Sequence, residues 1–187
     1  MDRIETTKIL AVLRAAYPAF YSRISSEDAL AIVTLWSEQF AENDYMTVSE
    51  AVKGLISTRT ESYPPTIGAV KEQIQKLTEP EIPPDEAWRY VHKALRSISQ
   101  FDNTAWERLP DPIKETVTPE QLRSWGYDEN FNEAVISSNF MRSYSAKMKS
   151  NREYRMYTKD VRKLVSESAK RLQLSVNNAM LIEEGKL

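Results

Sequence analysis

The stretch RSYSAKMKSNREYRMYTKDVRK, residues 142–163, gathers the side chains of this sequence best suited to binding chemistry. Arg142, Lys147, Lys149, Arg152, Arg155, Lys159, Arg162 and Lys163 are interleaved with Tyr144, Tyr154 and Tyr157. Cations beside aromatic rings suit a single-stranded nucleic acid, through phosphate contacts and base stacking. They also suit an acidic protein surface, since Tyr and Arg carry much of the energy of protein interfaces. A solvated basic helix has the same composition, and residue types alone leave all three readings open.

Bond-making chemistry finds few candidates. A phosphate-cradling loop needs clustered glycines whose backbone amides approach the anion closely, with a Lys and a Ser or Thr beside them. Gly54, Gly68, Gly126 and Gly185 are too scattered to build one, so ATP hydrolysis by this chain alone is not expected. Zinc requires Cys or His clusters, and the sequence has no Cys and the single His92. His92 flanks an apolar stripe, where a structural role is expected. Adjacent acids such as Glu27 with Asp28, or Glu183 with Glu184, point in different directions on a helix and are unsuited to sharing one substrate atom. No serine sits in a nucleophile elbow. The sequence therefore reads as a non-enzyme with no cofactor and no metal.

These groups must be held by helices. Of the 187 residues only four are glycine, and no run of alternating β-branched residues appears, a combination that predicts an all-α fold. Without cysteine there is no disulfide framework, and with no signal-peptide core or bilayer-length apolar span the expected location is the cytoplasm. The net charge of −2 is unevenly spread: residues 142–171 carry +7 and the remainder −9. Such asymmetry points to different partners for the two parts.

Hydrophobic periodicity predicts a compact N-terminal helical bundle over residues 1–78. Its stripes are Ile9, Leu10, Leu13, Ala16 and Tyr17; then Leu30, Val33, Trp36, Ser37 and Phe40 behind a Ser25 and Asp28 capping pair; then Val48, Ala51, Val52, Leu55 and Ile56. The fourth helix follows the double proline of ESYPPTIGAVKEQIQKL, with Thr66 as N-cap and Ile67, Val70, Ile74 and Leu77 on one face. Pro64 and Pro65 stop any preceding helix and fix where this one begins, an architectural role. TEPEIPP, in residues 78–84, then reads as a stiff spacer, with the linker placed at 79–84. A second helical lobe is expected over 85–150, with Trp88, Val91, Leu95 and Ile98 on its first stripe. Trp106, Leu109, Ile113, Val117, Leu122, Trp125, Tyr127 and Phe131 fall among breakers and should form an irregular core. A longer helix is expected from Asp128 to about Lys149. The remainder, 151–187, reads as a basic amphipathic arm. Thr158 would cap a helix carrying Val161, Leu164, Val165, Ser168 and Leu172, and Ser175 would cap a last one carrying Val176, Ala179 and Met180 before Gly185.

Tyr63, Pro64, Pro65, Thr66, Ile67 and Gly68, followed by Lys71, Glu72 and Ile74, resemble a stretch of the replicative helicase loader and inhibitor proteins of phages that infect Gram-positive bacteria. KILAVLRAAYPAFY (8–21), YMTVSEAVKGLI (45–56), PPDEAWRYVHKAL (83–95) and AVISSNFMRSYSAKMKS (134–150) extend the likeness to about residue 155. The resemblance implies an adaptor without its own ATPase that binds a DnaB-type hexameric helicase, holds back its ATPase and DNA binding, and delivers it to an origin-bound phage initiator. It also implies a compact front and a C-terminal segment that contacts the helicase. This chain is longer than the smallest members, so the lobe from 85 to 140 inherits no role. On this reading the partner-binding residues are Arg142, Tyr144, Lys147, Lys149, Arg152, Tyr154, Arg155, Tyr157, Val161, Arg162, Leu164, Val165 and Leu172. The arm's apolar face would pack in a groove of the helicase. The alternative is a nucleic-acid-binding replication organiser acting through the same basic arm.

Overall fold

Short polar side chains set the helix starts of the N-terminal region. Asp2 accepts from the Glu5 amide and Glu5 returns the bond to the Asp2 amide, a capping box that opens α1 (Arg3–Ala16). Pro18 then leads a single turn, α2 (Pro18–Tyr21). Ser25, Asp44 and Thr66 each accept from the amide three residues on and open α3 (Ser26–Gln39), α4 (Tyr45–Thr58) and α5 (Ile67–Thr78). This computed structural model describes the backbone of residues 1–183 and the side chains of residues 1–173. The described residues form eleven α-helices and no strand, the all-α fold expected from composition.

The chain divides into two compact units, Met1–Pro80 together with the chain from Tyr154 onward, and Glu81–Glu153. In the first, α1 packs on α3 and α4, and α4 on α5. Ile9, Leu10 and Leu13 of α1, Val48, Ala51 and Val52 of α4, Val70 and Ile74 of α5, and Trp36 and Phe40 from the end of α3 fill its core. The Trp36 and Phe40 rings lie 5.3 Å apart. Pro65 is buried and Thr66 caps α5, so the double proline ties the start of that helix to the core. Leu77, expected inside, is 55 % exposed.

Leu30 also departs from its expected place, at 71 % exposed. Apolar residues occur all round α3, and of its side chains only Trp36 is fully buried. A helix lying on the rim of a small bundle has room for one inward row.

The second unit contains α6 (Pro84–Leu95), α7 (Thr104–Glu107), α8 (Asp111–Lys114), α9 (Pro119–Gly126) and the larger part of α10 (Glu133–Met156). The proline-punctuated stretch supplies Leu109, Ile113, Val117 and Leu122 to a core completed by Ala87, Val91 and Ala94 of α6 and by Phe140, Tyr144 and Met148 of α10. Trp88, Trp106 and Trp125 pack around it. The Trp106 indole donates to the Val117 carbonyl at 2.8 Å, so its one polar atom is satisfied. Tyr127, at 47 % exposed, lies outside that core.

At Gly126 a Cβ would stand 2.7 Å from Ile98 Cγ2. Ile98 packs on the core, so the contact yields only by repacking. Gly126→Ala is expected to cost about 1–3 kcal/mol by overpacking, read as a lower urea midpoint for unfolding of this unit. An unchanged midpoint would show that Ile98 has free space.

Two helix limits differ from those expected. α10 begins at Glu133 rather than Asp128, because the side chains of Asp128 and Asn132 cap local turns by accepting from the amides of Asn130 and Val135. It runs on to Met156, since no Gly or Pro interrupts it. After it, α11 (Lys159–Glu183) continues through Ser175 as one helix, and again no breaker lies within it. The side chains of Val176, Ala179 and Met180, and Gly185 itself, fall outside the described residues.

Candidate partner-binding site

Helical phase sorts the residues of the 142–172 segment into different roles. Phe140, Tyr144 and Met148 recur every four positions and make the buried stripe of α10. Tyr144 is 1 % exposed. Its ring stacks on Phe140 at 5.8 Å, and its hydroxyl donates to the Ile82 carbonyl at 3.0 Å. Burial, with Glu81 nearby, pushes its hydroxyl pKa up. Tyr144 thus packs the second unit and presents nothing to a partner. Tyr154 and Tyr157 are exposed, with their rings edge to face at 6.5 Å.

Most of the basic side chains meet carboxylates of this same chain. In the second unit Lys147 faces Glu115 at 3.9 Å, Lys149 faces Glu153 at 4.0 Å, and Arg152 grips Glu81 with Nε at 3.2 Å and Nη2 at 2.9 Å. In the first unit Arg155 pairs with Glu79, and Arg162 with Glu42. Arg142, Lys159 and Lys163 lie exposed on the helices. The carboxylates were not among the sequence candidates, being separated from their partners by up to 120 residues. One available signal was the pair of acids in TEPEIPP, since Glu79 and Glu81 both meet arginines of the basic stretch.

The turn from α10 into α11 forms one wall of a cleft of about 430 Å³ in the first unit. Lys71 of α5 reaches into it and donates to the Met156 carbonyl and to Gln39 Oε1, both at 2.8 Å. Its ammonium also lies 5.8 Å from the Phe40 ring centroid. Burial and the neighbouring Arg162 lower the Lys71 pKa. The main-chain carbonyl that Lys71 caps belongs to the end of α10, where the helix dipole favours a cation.

On α11 itself the apolar residues remain in water. Leu164 is 63 % exposed, Leu172 67 %, Val165 41 % and Val161 39 %. They recur at spacings of three, four and seven, which on a helix makes one face. No described side chain of α11 is buried. Among the described residues there is no cluster of metal-ligating side chains, and no helix long and apolar enough to cross a membrane. The arrangement offers an exposed apolar stripe on α11 with Arg162 on its flank.

No curated protein and no solved structure matches this chain. The family model of the N-terminal domain of the helicase loader/inhibitor of phage SPP1 matches residues 1–71. The matched segment holds all of α1 to α4 and the first part of α5, and with them most of the first core. Residues 1–71 are thus similar to the N-terminal domain of the phage helicase loader/inhibitor family.

Proposed function

We propose that this protein is a replication adaptor that binds a DnaB-type hexameric helicase through α11, restrains its ATPase and DNA binding, and hands it to an origin-bound initiator. The family is one of non-catalytic regulators. The observation that carries the reading is the stripe of Val161, Leu164, Val165 and Leu172, exposed on a helix of a chain with that family's N-terminal domain. An amphipathic helix in this state matches helix-in-groove recognition, in which anchors at three-, four- and seven-residue spacings enter an apolar groove. A nucleic-acid backbone would engage the cations but leave this stripe in water.

Size-exclusion chromatography with light scattering tests the proposal. Mixed with a DnaB-type helicase from its host and ATP at moderate salt, the protein is expected to co-elute in a complex of defined mass. Separate elution from a helicase shown to be hexameric and active would overturn the reading.

A further inference from the structure

The contacts at the start of the arm differ in strength in a way that bears on how it is released. Lys71 is half-buried, and its acceptors are neutral: a side-chain amide oxygen and a main-chain carbonyl. A competing anion has no hydrogen-bonded carboxylate to replace there, although Glu42 stands nearby. Arg155 with Glu79 and Arg162 with Glu42 are ordinary ion pairs whose side chains are one third to one half exposed. Pairs so accessible are individually weak and screened by salt. They are also open to exchange, because another carboxylate can reach the guanidinium without a buried charge being stranded.

We infer that Glu42 and Glu79 are internal stand-ins for the carboxylates of an acidic partner surface, holding Arg162 and Arg155 against the bundle until that surface takes them over. The inference rests on α11 being the docking element, and it adds the chemistry of the partner and a means of regulation. With both pairs intact, the first turn of α11 is pinned at Arg162, one position beyond Val161 in its apolar stripe. Exchange of the pairs frees the stripe to turn into a groove, while Lys71 keeps hold of the end of α10 at Met156. The partner surface that does this presents carboxylates beside an apolar groove, since by helical phase Arg162 flanks the stripe on α11 and Arg155 stands at the end of α10 just before that helix. A phosphate-rich partner would compete for the same arginines but would not need the groove.

The charge-neutral variant Glu42→Gln/Glu79→Gln separates these ideas, with Glu42→Asp/Glu79→Asp as the control that keeps the charges. All four replacements lie at exposed positions, so the cores are untouched. The sequence contains no cysteine, so Ser57→Cys on α4 and Ala169→Cys on α11 accept spin labels uniquely. At about 50 mM salt the parent and the Asp control should give a narrow label-to-label distance distribution, broadening at about 500 mM, where screening shortens to a few ångströms. The Gln variant should be broad at both. A Gln variant as narrow as the parent would show that these pairs do not hold the arm. For helicase binding, the Gln variant should gain roughly threefold to tenfold in affinity, the range that two exposed pairs can hold back. Equal affinity in parent and variant would overturn the regulatory role. Should neither protein bind the helicase, the helicase reading fails while the distance distributions still decide whether Glu42 and Glu79 clasp the arm.

Discussion

Tyr144→Ala is expected to destabilise the second unit by about 3–5 kcal/mol, the cost of emptying a large aromatic site in a packed core, whereas Tyr154→Ala and Tyr157→Ala should each change stability by no more than about 0.5 kcal/mol. The three tyrosines stand in one basic stretch and are indistinguishable by type. What separates them is phase: Tyr144 lies between Phe140 and Met148 on the inward face of α10, and the other two face solvent near the end of the helix. Tyr144→Phe keeps the ring and loses only the bond to the Ile82 carbonyl, so it should cost about 0.5–1.5 kcal/mol. Tryptophan fluorescence during urea unfolding measures this conveniently, because Trp88, Trp106 and Trp125 belong to the second unit and Trp36 to the first. Following that signal rather than the whole chain is necessary, since two units need not unfold as one. If Tyr144→Ala and Tyr154→Ala shifted the midpoint equally, Tyr144 would not be the core residue that its burial indicates.

The helices were legible in the sequence because their signals are local. Ser25 and Thr66 cap the helices that their positions predicted, and Pro65 fixes the start of α5. Core placement was legible where a stripe ran through a central helix, as with Ile9, Leu10 and Leu13, but not on α3, where Leu30 is exposed because the helix lies at the rim. The continuation of α11 through Ser175 followed from what is missing there: a residue able to cap need not do so when no breaker precedes it. Within the candidate site the sequence identified the cations and missed their acids. Arg162 and Glu42 come together only through the fold, and no local pattern connects positions 120 apart. Tyr144 was the exception, for the four-residue recurrence of Phe140, Tyr144 and Met148 is present in the sequence, within a stretch whose charge is that of a surface.

The family match and the candidate site lie on different parts of the chain. Residues 1–71 carry the matched domain, and the exposed stripe begins at Val161. Among the described residues, none of the buried residues of the first core comes from α11. The arm can therefore be altered without touching the packing that defines the domain, and its function can be tested separately from the stability of the bundle.

Ending the chain after Thr158 should consequently abolish helicase capture and leave the bundle folded. The cut must fall there and not at Arg142, because a chain ending before Arg142 would lack Tyr144 and Met148, and the second core would fail for reasons unrelated to docking. Within the intact chain, Leu164→Asp/Val165→Asp should weaken binding by at least about thirtyfold, as expected when two anchors of a groove-bound helix are made charged. Both positions are exposed in the free protein, so stability should stay within about 0.5 kcal/mol. Arg142→Gln, at an exposed position on α10 away from the stripe, provides the comparison and should bind like the parent. Loss of binding in the Asp variant alone would place the contact on the apolar face. Loss in the Arg142 variant alone would place it on charge, and the helix-in-groove reading would fall even though the family assignment of residues 1–71 would not.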